Sequence, residues 1–314
     1  MTVPRLRLGS CPDSWGVWFA DDPRQTPWRR FLDELAEVGY EWVELGPYGY
    51  LPTDPARLGD ELASRGLKAS AGTMHGFSGL HRAGDFAEIL ARTRSVAALT
   101  AGVGAQDLVF VPVPGYRDDM TGGYLEPGTL DDDGWKTLVR STNDLGRALA
   151  EEYGLRLQFH HHADSYVETR PQIDRLLAET DPQFVSLCLD TGHLAYGGGD
   201  AAALIADHPD RVGYIHIKQM DPEIVAQARR EDLAFGQAVA LGVSCEPPAG
   251  IPDVASVVRA LNERGRDTFV IVEQDMYPVD FDVPKPIAAR TRAYLRASGI
   301  GVDEEERPGG KDAS

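Results

Sequence analysis

The feature that most restricts this chain is an alternation of two periodicities. Short apolar runs ending in Gly, Asp, Glu or His are followed repeatedly by longer stretches that carry an apolar stripe at helical spacing. Such a pattern builds strand–helix units around a parallel sheet, because each buried strand needs a helix to cover it. The strands are predicted at Leu6–Ser10, Trp42–Leu45, Lys68–Ala71, Leu108–Val111, Leu155–His160, Phe184–Asp190, Val212–Lys218 and Thr268–Glu273. Helices are predicted at Trp28–Val38, Asp54–Arg65, Phe86–Ala101, Asp133–Tyr153, after Thr169, and at Ala201–Asp207, Pro252–Glu263 and Pro284–Ala297. Gly39, Gly66 and Gly154 fall where a helix ends and a strand begins, as C-terminal caps do. Evenly spaced units without a G-x-G-x-x-G loop favour a closed (β/α)8 TIM barrel over an open doubly wound sheet.

The length of 314 residues suits one such barrel, expected over 1–298, with a charged, Gly-rich flexible tail over 299–314. The formal net charge of -18 disfavours nucleic-acid partners, which need clustered Lys and Arg. Cys11, Cys188 and Cys245 are too few and too scattered for a disulfide framework or a CxxC metal site. The chain opens without an apolar signal segment and has no run long enough for a membrane helix. A cytoplasmic protein with no nucleic-acid or membrane partner is therefore expected, with homo-oligomerisation left open.

In barrels, catalytic groups sit where strands end and the following loops begin. Of the 8 histidines, His75, His160, His161, His162, His193 and His216 lie at such places, and only His81 and His208 do not. Strand alternation then sorts faces. In Val185–Asp190, the residues Val185, Leu187 and Leu189 face the helices, while Ser186, Cys188 and Asp190 face the barrel. Tyr214, His216 and Lys218 share the inward face of their strand, as do Phe269, Ile271 and Glu273. His160 and His162 share one face and His161 the other. The barrel mouth is thus expected to gather Glu44, His160, His162, Asp190, His216, Lys218 and Glu273. Imidazoles and carboxylates converging from separate strands form a ligand set for a divalent metal ion. Without a cation, several buried carboxylates would repel one another and lose their hydration. The Gly197–Gly199 run is not followed by Lys, so it is not read as a phosphate-binding loop.

Several segments carry a family resemblance. Phe159–Thr169 (FHHHADSYVET), Leu189–Asp200 (LDTGHLAYGGGD), Ile215–Val225 (IHIKQMDPEIV) and Val272–Asp275 (VEQD) occur in this order. Together they resemble the myo-inosose (2-keto-myo-inositol) dehydratases of the xylose isomerase-like superfamily. The similarity runs from about Trp15–Gly16 to Arg296. It implies a divalent ion held at the ends of strands five to eight by His160, Asp190, His216 and Glu273. His160 stands where the superfamily usually has Glu, and Glu168 in the following loop is the alternative. Two further departures are Lys218-Gln219 in place of Lys-Asp, and Pro247-Pro248-Ala249-Gly250 in place of a PGDG-type loop.

The resemblance implies a metal-dependent lyase that dehydrates a keto-inositol or keto-sugar through an enediolate. The same site could serve a keto-sugar isomerase or epimerase. A lower-ranked alternative is a non-catalytic sugar-binding subunit. The expected ion is Mn²⁺ or Co²⁺, with Zn²⁺ and Mg²⁺ as alternatives. His162, Lys218 and Glu273 are the expected catalytic groups, with His162 favoured as the base because metal binding weakens a carboxylate's basicity. Trp15, Glu44, His75 and His193 are expected to contact the substrate, a small keto-sugar or cyclitol.

Overall fold

The computed structural model describes residues 4–75 and 79–302. Eight parallel strands close into a barrel in chain order. They are β1 Leu6–Ser10, β2 Trp42–Glu44, β3 Lys68–His75, β4 Asp107–Val111, β5 Arg156–His160, β6 Val185–Asp190, β7 Val212–Ile217 and β8 Thr268–Val272. The last strand pairs with both β7 and β1 and so closes the ring. The (β/α)8 class read from the alternating periods is the observed one, and most element ends shift by only one or two residues.

The larger differences have local causes. β3 extends to His75, and its second half, Gly72-Thr73-Met74, lacks the alternation of bulky apolar and polar residues that would have signalled it. Gly72 is small for a reason: a Cβ there would lie 1.8 Å from Thr100 Oγ1 on the helix packed behind it. Three helices, Thr191–Tyr196, Pro222–Glu231 and Phe235–Ala240, were not predicted. Two of them are only 6 residues long, too short to show a helical period. The connection from β7 to β8 also holds a two-residue antiparallel pair, Gln219–Met220 against Ser244–Cys245. Met220, Val225, Phe235, Val239 and Val243 give that connection a small core of its own.

The alternation along each strand sets two apolar layers. Leu187 and Leu189 join the large cluster between barrel and helices. Cys11, Ala71, Val109, Val111, Cys188, Tyr214 and Ile271 fill the barrel interior. Gly39 and Gly154 adopt positive φ and end their helices as expected, each with its N–H returned to carbonyls of the last turn. No helix among the described residues is long and apolar enough to cross a membrane. The tail expected from residue 299 falls mainly on 303–314, outside the described residues.

Candidate active site

The inward face of each strand continues the interior layer upward by one step of two residues. Cys188 leads to Asp190, Tyr214 to His216, and Ile271 to Glu273. Strand register places these ends side by side, with Asp190 opposite His216 and His216 opposite Ile271. His160 ends β5, and its neighbour on β6 is Cys188. One ligand atom from each of His160, Asp190, His216 and Glu273 lies within 4.8 Å of the others, and all four residues are buried.

Three of the four separations are close to what a cation would need, and the His216–Glu273 pair is closer than that. His160 Nε2 is 3.6 Å from Asp190 Oδ2 and 3.8 Å from Glu273 Oε2. His216 Nδ1 is 3.8 Å from Asp190 Oδ2 and 2.5 Å from Glu273 Oε2. Two donors each about 2.1 Å from a tetrahedral ion lie about 3.4 Å apart. Asp190 Oδ2, His216 Nδ1 and Glu273 Oε2 are buried and make no well-aligned hydrogen bond, their near neighbours being one another and the Lys218 ammonium. Buried polar atoms normally have partners. Three such atoms aimed at one point fit a divalent ion. Glu168 is not among them. Its carboxylate accepts a 3.4 Å hydrogen bond from Tyr116, so the strand-end His160, and not the loop carboxylate, stands in the cluster.

The surrounding hydrogen bonds orient these atoms. His216 Nε2 lies 2.8 Å from Glu44 Oε2; with that nitrogen donating to Glu44, Nδ1 would be the atom left to hold an ion. Glu44 Oε1 accepts from Thr73 Oγ1 at 2.8 Å. Glu44, expected to bind substrate, is instead buried behind His216. Asp190 divides its oxygens: Oδ1 accepts His193 N–H at 2.7 Å and caps the helix Thr191–Tyr196, while Oδ2 faces the cluster. The Asp-Thr-Gly turn and the inward carboxylate are therefore one residue doing both. His161 lies outside the cluster and accepts the Asp190 N–H on Nε2 at 3.2 Å. Thr191 Oγ1 donates to Lys218 O at 2.7 Å, joining the end of β6 to the end of β7.

Lys218 is fully buried. Its Nζ is 2.7 Å from Asp275 Oδ2, 3.3 Å from Asp190 Oδ2, 3.4 Å from Glu273 Oε2 and 3.2 Å from His193 Nε2. Burial pushes the Asp190 and Glu273 carboxyls up, but Lys218 and the neighbouring histidines outweigh it, and both lie below the usual carboxylate range. Burial lowers Lys218 in turn, and Asp190, Asp275 and Glu273 outweigh that, holding it protonated. Such an ammonium, enclosed by carboxylates, supplies balancing charge.

Above the cluster opens a cavity lined by Asp13, Trp18, Phe19, His75, Val113, Asp119, Met120, His162, Phe235, Glu273 and Asp275, among others. His75 and His162 reach it, as expected. His162 Nδ1 lies 2.7 Å from Ala163 O, a group that only accepts, so Nδ1 carries the proton and Nε2 is the free acceptor. Burial lowers His162 to about 3 and His75 to about 4, so both are neutral. His193 is not at the cavity wall: Nδ1 accepts Ala163 N–H at 3.2 Å, and its ring packs 4.0 Å from that of His162. Trp15, expected to contact the substrate, does not reach the cavity. It is 0% exposed, its Nε1 donates to Glu34 at 2.9 Å, and it packs edge-on to Phe31, so it belongs to the core.

Asp13 and Asp275 line the cavity but were not singled out from the sequence. Asp275 stood in the quoted VEQD segment, and Asp13 follows β1 by three positions, so the strand-end rule could have found both. Trp18, Phe19 and Met120 lie on loops where no periodicity marks a facing direction.

Residues 32–298 match the family described as xylose isomerase-like TIM barrel. The inosose dehydratase of Salmonella agona is 31% identical over 295 residues, covering 92% of this chain and 95% of that protein. The inosose dehydratase of Bacillus velezensis is 30% identical over 293 residues, covering 90% of this chain and 95% of that one. Among solved structures, the IOLI protein with a bound zinc atom superposes with a TM-score of 0.67 at 17% identity, covering 95% of this chain and 100% of that one.

Proposed function

Since the chain belongs to the xylose isomerase-like TIM barrel family, with inosose dehydratases as relatives along nearly its whole length, we propose that it is a metal-dependent dehydratase of a keto-inositol. The observation that carries the reading is the convergence of His160, Asp190, His216 and Glu273, with three of their buried atoms making no well-aligned hydrogen bond, at the floor of a substrate-sized cavity. These four residues would hold the ion. Two imidazoles and two carboxylates suit Mn²⁺, Co²⁺ or Zn²⁺ better than Mg²⁺, which prefers an all-oxygen shell.

A bound divalent ion supplies Lewis acidity, which makes the C–H beside a ketone acidic. The protein's own part is to place a base and to orient the ring. His162 is neutral, faces the cavity and presents Nε2 as an acceptor, so it is assigned to removing the proton beside the ketone. His75, Asp13 and Asp275 line the same floor and are assigned to binding ring hydroxyls. Lys218 holds Asp275 in place and keeps charge balance beneath the reacting groups. Three free cysteines support a reducing, cytoplasmic setting.

The test is to incubate the protein with Mn²⁺ or Co²⁺ and 2-keto-myo-inositol in deuterated water and to follow mass. Loss of one water, with deuterium entering beside the ketone in recovered substrate, is the expected result. Deuterium entry with no loss of water would instead make the enzyme an isomerase or epimerase. His162→Ala should suppress exchange by roughly 10²–10⁴-fold, the usual contribution of a positioned base, with metal content retained. Exchange at the parent rate in that variant removes His162 from the role.

A further inference from the structure

The cavity has two tiers. Its floor is polar, with Asp13, His75, His162, Glu273 and Asp275; its upper wall is mainly apolar, with Trp18, Phe19, Val113 and Met120, and carries Asp118 and Asp119 beside Met120. Its free volume is about 360 Å³ and it opens to solvent. The polar groups of the floor are enough to meet the hydroxyls of a cyclitol. A ring edged with hydroxyls leaves the apolar tier unfilled.

That tier is built and held. Phe19 and Met120 are 43% and 54% exposed, yet neither sits on a loose tip. Gln25, itself 5% exposed, accepts the N–H of Trp18 and of Phe19 at 3.1 Å each and donates to Phe19 O at 2.5 Å. Tyr277 braces the pair from behind, stacked on Trp18 and edge-on to Phe19 at 5.2 Å each. On the opposite wall, Asp118 Oδ1 accepts Met120 N–H at 3.2 Å and Thr121 N–H at 2.7 Å. Arg117 ties the same loop to Asp232 O at 2.8 Å. Apolar surface that the fold holds open over a polar floor is preorganised for a ligand, and little ordering remains to be done on binding.

We infer that the substrate carries an O-linked ring on the side away from its ketone, and that Trp18, Phe19 and Met120 bind the apolar face of that ring. The ligand class is thus an O-substituted keto-cyclitol or keto-sugar whose second ring, a pyranose or an aryl group, offers a C–H or π face to the aromatic wall. This rests on the ketone-binding floor read above and adds the second half of the ligand.

The test compares three probes on the metal-loaded protein by calorimetry and by mass-resolved turnover. They are 2-keto-myo-inositol and its O-phenyl and O-glucosyl derivatives at the carbon opposite the ketone. At least one derivative should bind about tenfold tighter than the bare ketone, a difference of about 1.4 kcal/mol. Phe19→Ala with Met120→Ala should collapse that ratio towards one. Preference for the phenyl or for the glucosyl probe identifies which ring the wall takes. The inference falls if both derivatives bind no tighter than the bare ketone, or if the ratio survives in the double variant. Binding and dehydration of the bare ketone alone overturn this inference and leave the dehydratase reading standing. Failure of all three probes to bind overturns both.

Discussion

Two layers of the barrel interior, one step apart on the same strands, make the instructive comparison. In the lower layer, Cys188, Tyr214 and Ile271 pack against one another and against Ala71 and Val109. In the upper layer, two residues further along, Asp190, His216 and Glu273 converge with His160 and leave buried atoms without well-aligned hydrogen bonds. Both layers are almost fully dry. The lower gains from burial through apolar contact. The upper loses hydration on burial and is held by charge instead, with Lys218 and the histidines offsetting the cost of its carboxylates. The same backbone thus carries stability in one layer and function in the next, and substitutions in the two should fail in different ways.

The largest effect should come from the upper layer. Asp190→Asn keeps the shape and an oxygen able to cap His193, but removes the charge that faces the cluster. Metal content, measured by mass spectrometry, should fall to background at micromolar metal. Turnover should drop on the order of 10³-fold, as loss of several kcal/mol of transition-state stabilisation requires. The melting temperature without added metal should fall modestly, because Lys218 loses one of the carboxylates that balance it. A variant that still copurifies with a full complement of metal would break the assignment. One layer down, Ile271→Ala should invert the pattern. Removing a buried aliphatic side chain costs about 3 kcal/mol of stability. Saturating metal content should nonetheless match the parent, as read by denaturant titration alongside metal analysis. If Ile271→Ala instead loses metal and keeps its stability, the two layers are not separable.

How much of this was legible follows from what alternation can say. It reports which way a strand residue faces, so Asp190, His216, Glu273 and Cys188 could be assigned to the interior from sequence. It does not report depth. Glu44 faces inward as expected, but β2 ends early and a register shift at Val43/Glu44 leaves it behind His216, not at the cavity. Trp15 lies in a 3-10 turn, where strand logic has no force, and the indole turned to the buried Glu34. The upper cavity wall is made by loops, whose side chains follow no period. Gln219 shows a further limit. It stands where the resembling family carries Asp, and its amide donates to Gly250 O at 2.9 Å and Pro252 O at 2.5 Å while accepting Gly250 N–H at 3.2 Å. An Asp could not donate, so the two departures at Gln219 and Pro247–Gly250 are one linked feature. Only the three-dimensional contact shows that link.

The support behind the upper layer gives a smaller and sharper test. Glu44 fixes the His216 tautomer from the far side of the ring. Glu44→Ala should weaken metal affinity by roughly 10–100-fold, the usual cost of losing such a partner. Glu44→Gln should recover most of it, because the amide oxygen still accepts from Nε2. Metal titration with a competing chelator reads this directly. Equal losses in both variants would assign the Glu44 contribution to charge and not to orientation.

The smallest expected effect lies above both layers, at the cavity rim. Burial first, and then Asp164 and Asp275, hold the Asp119 carboxyl up to about 7. In an unfolded chain an Asp ionises near 3.9, roughly three units lower. Between about pH 4 and 7 the folded protein therefore keeps a proton that the unfolded chain has released. Stability from this group is full below the unfolded value and declines as pH rises through that window. Asp119→Asn removes the titration. Its melting temperature relative to the parent should climb steadily from pH 4 to 7, and the difference should level off above 7. Asp119 is partly exposed, so solvent screens the effect, and a gain of a few degrees is expected, in line with about 1 kcal/mol in a protein of this size. Because both proteins share the buried cluster, its own titration cancels in the difference. Parallel melting curves across the window would mean that Asp119 is ionised throughout, and that the rim, unlike the layer beneath it, is electrostatically part of the solvent.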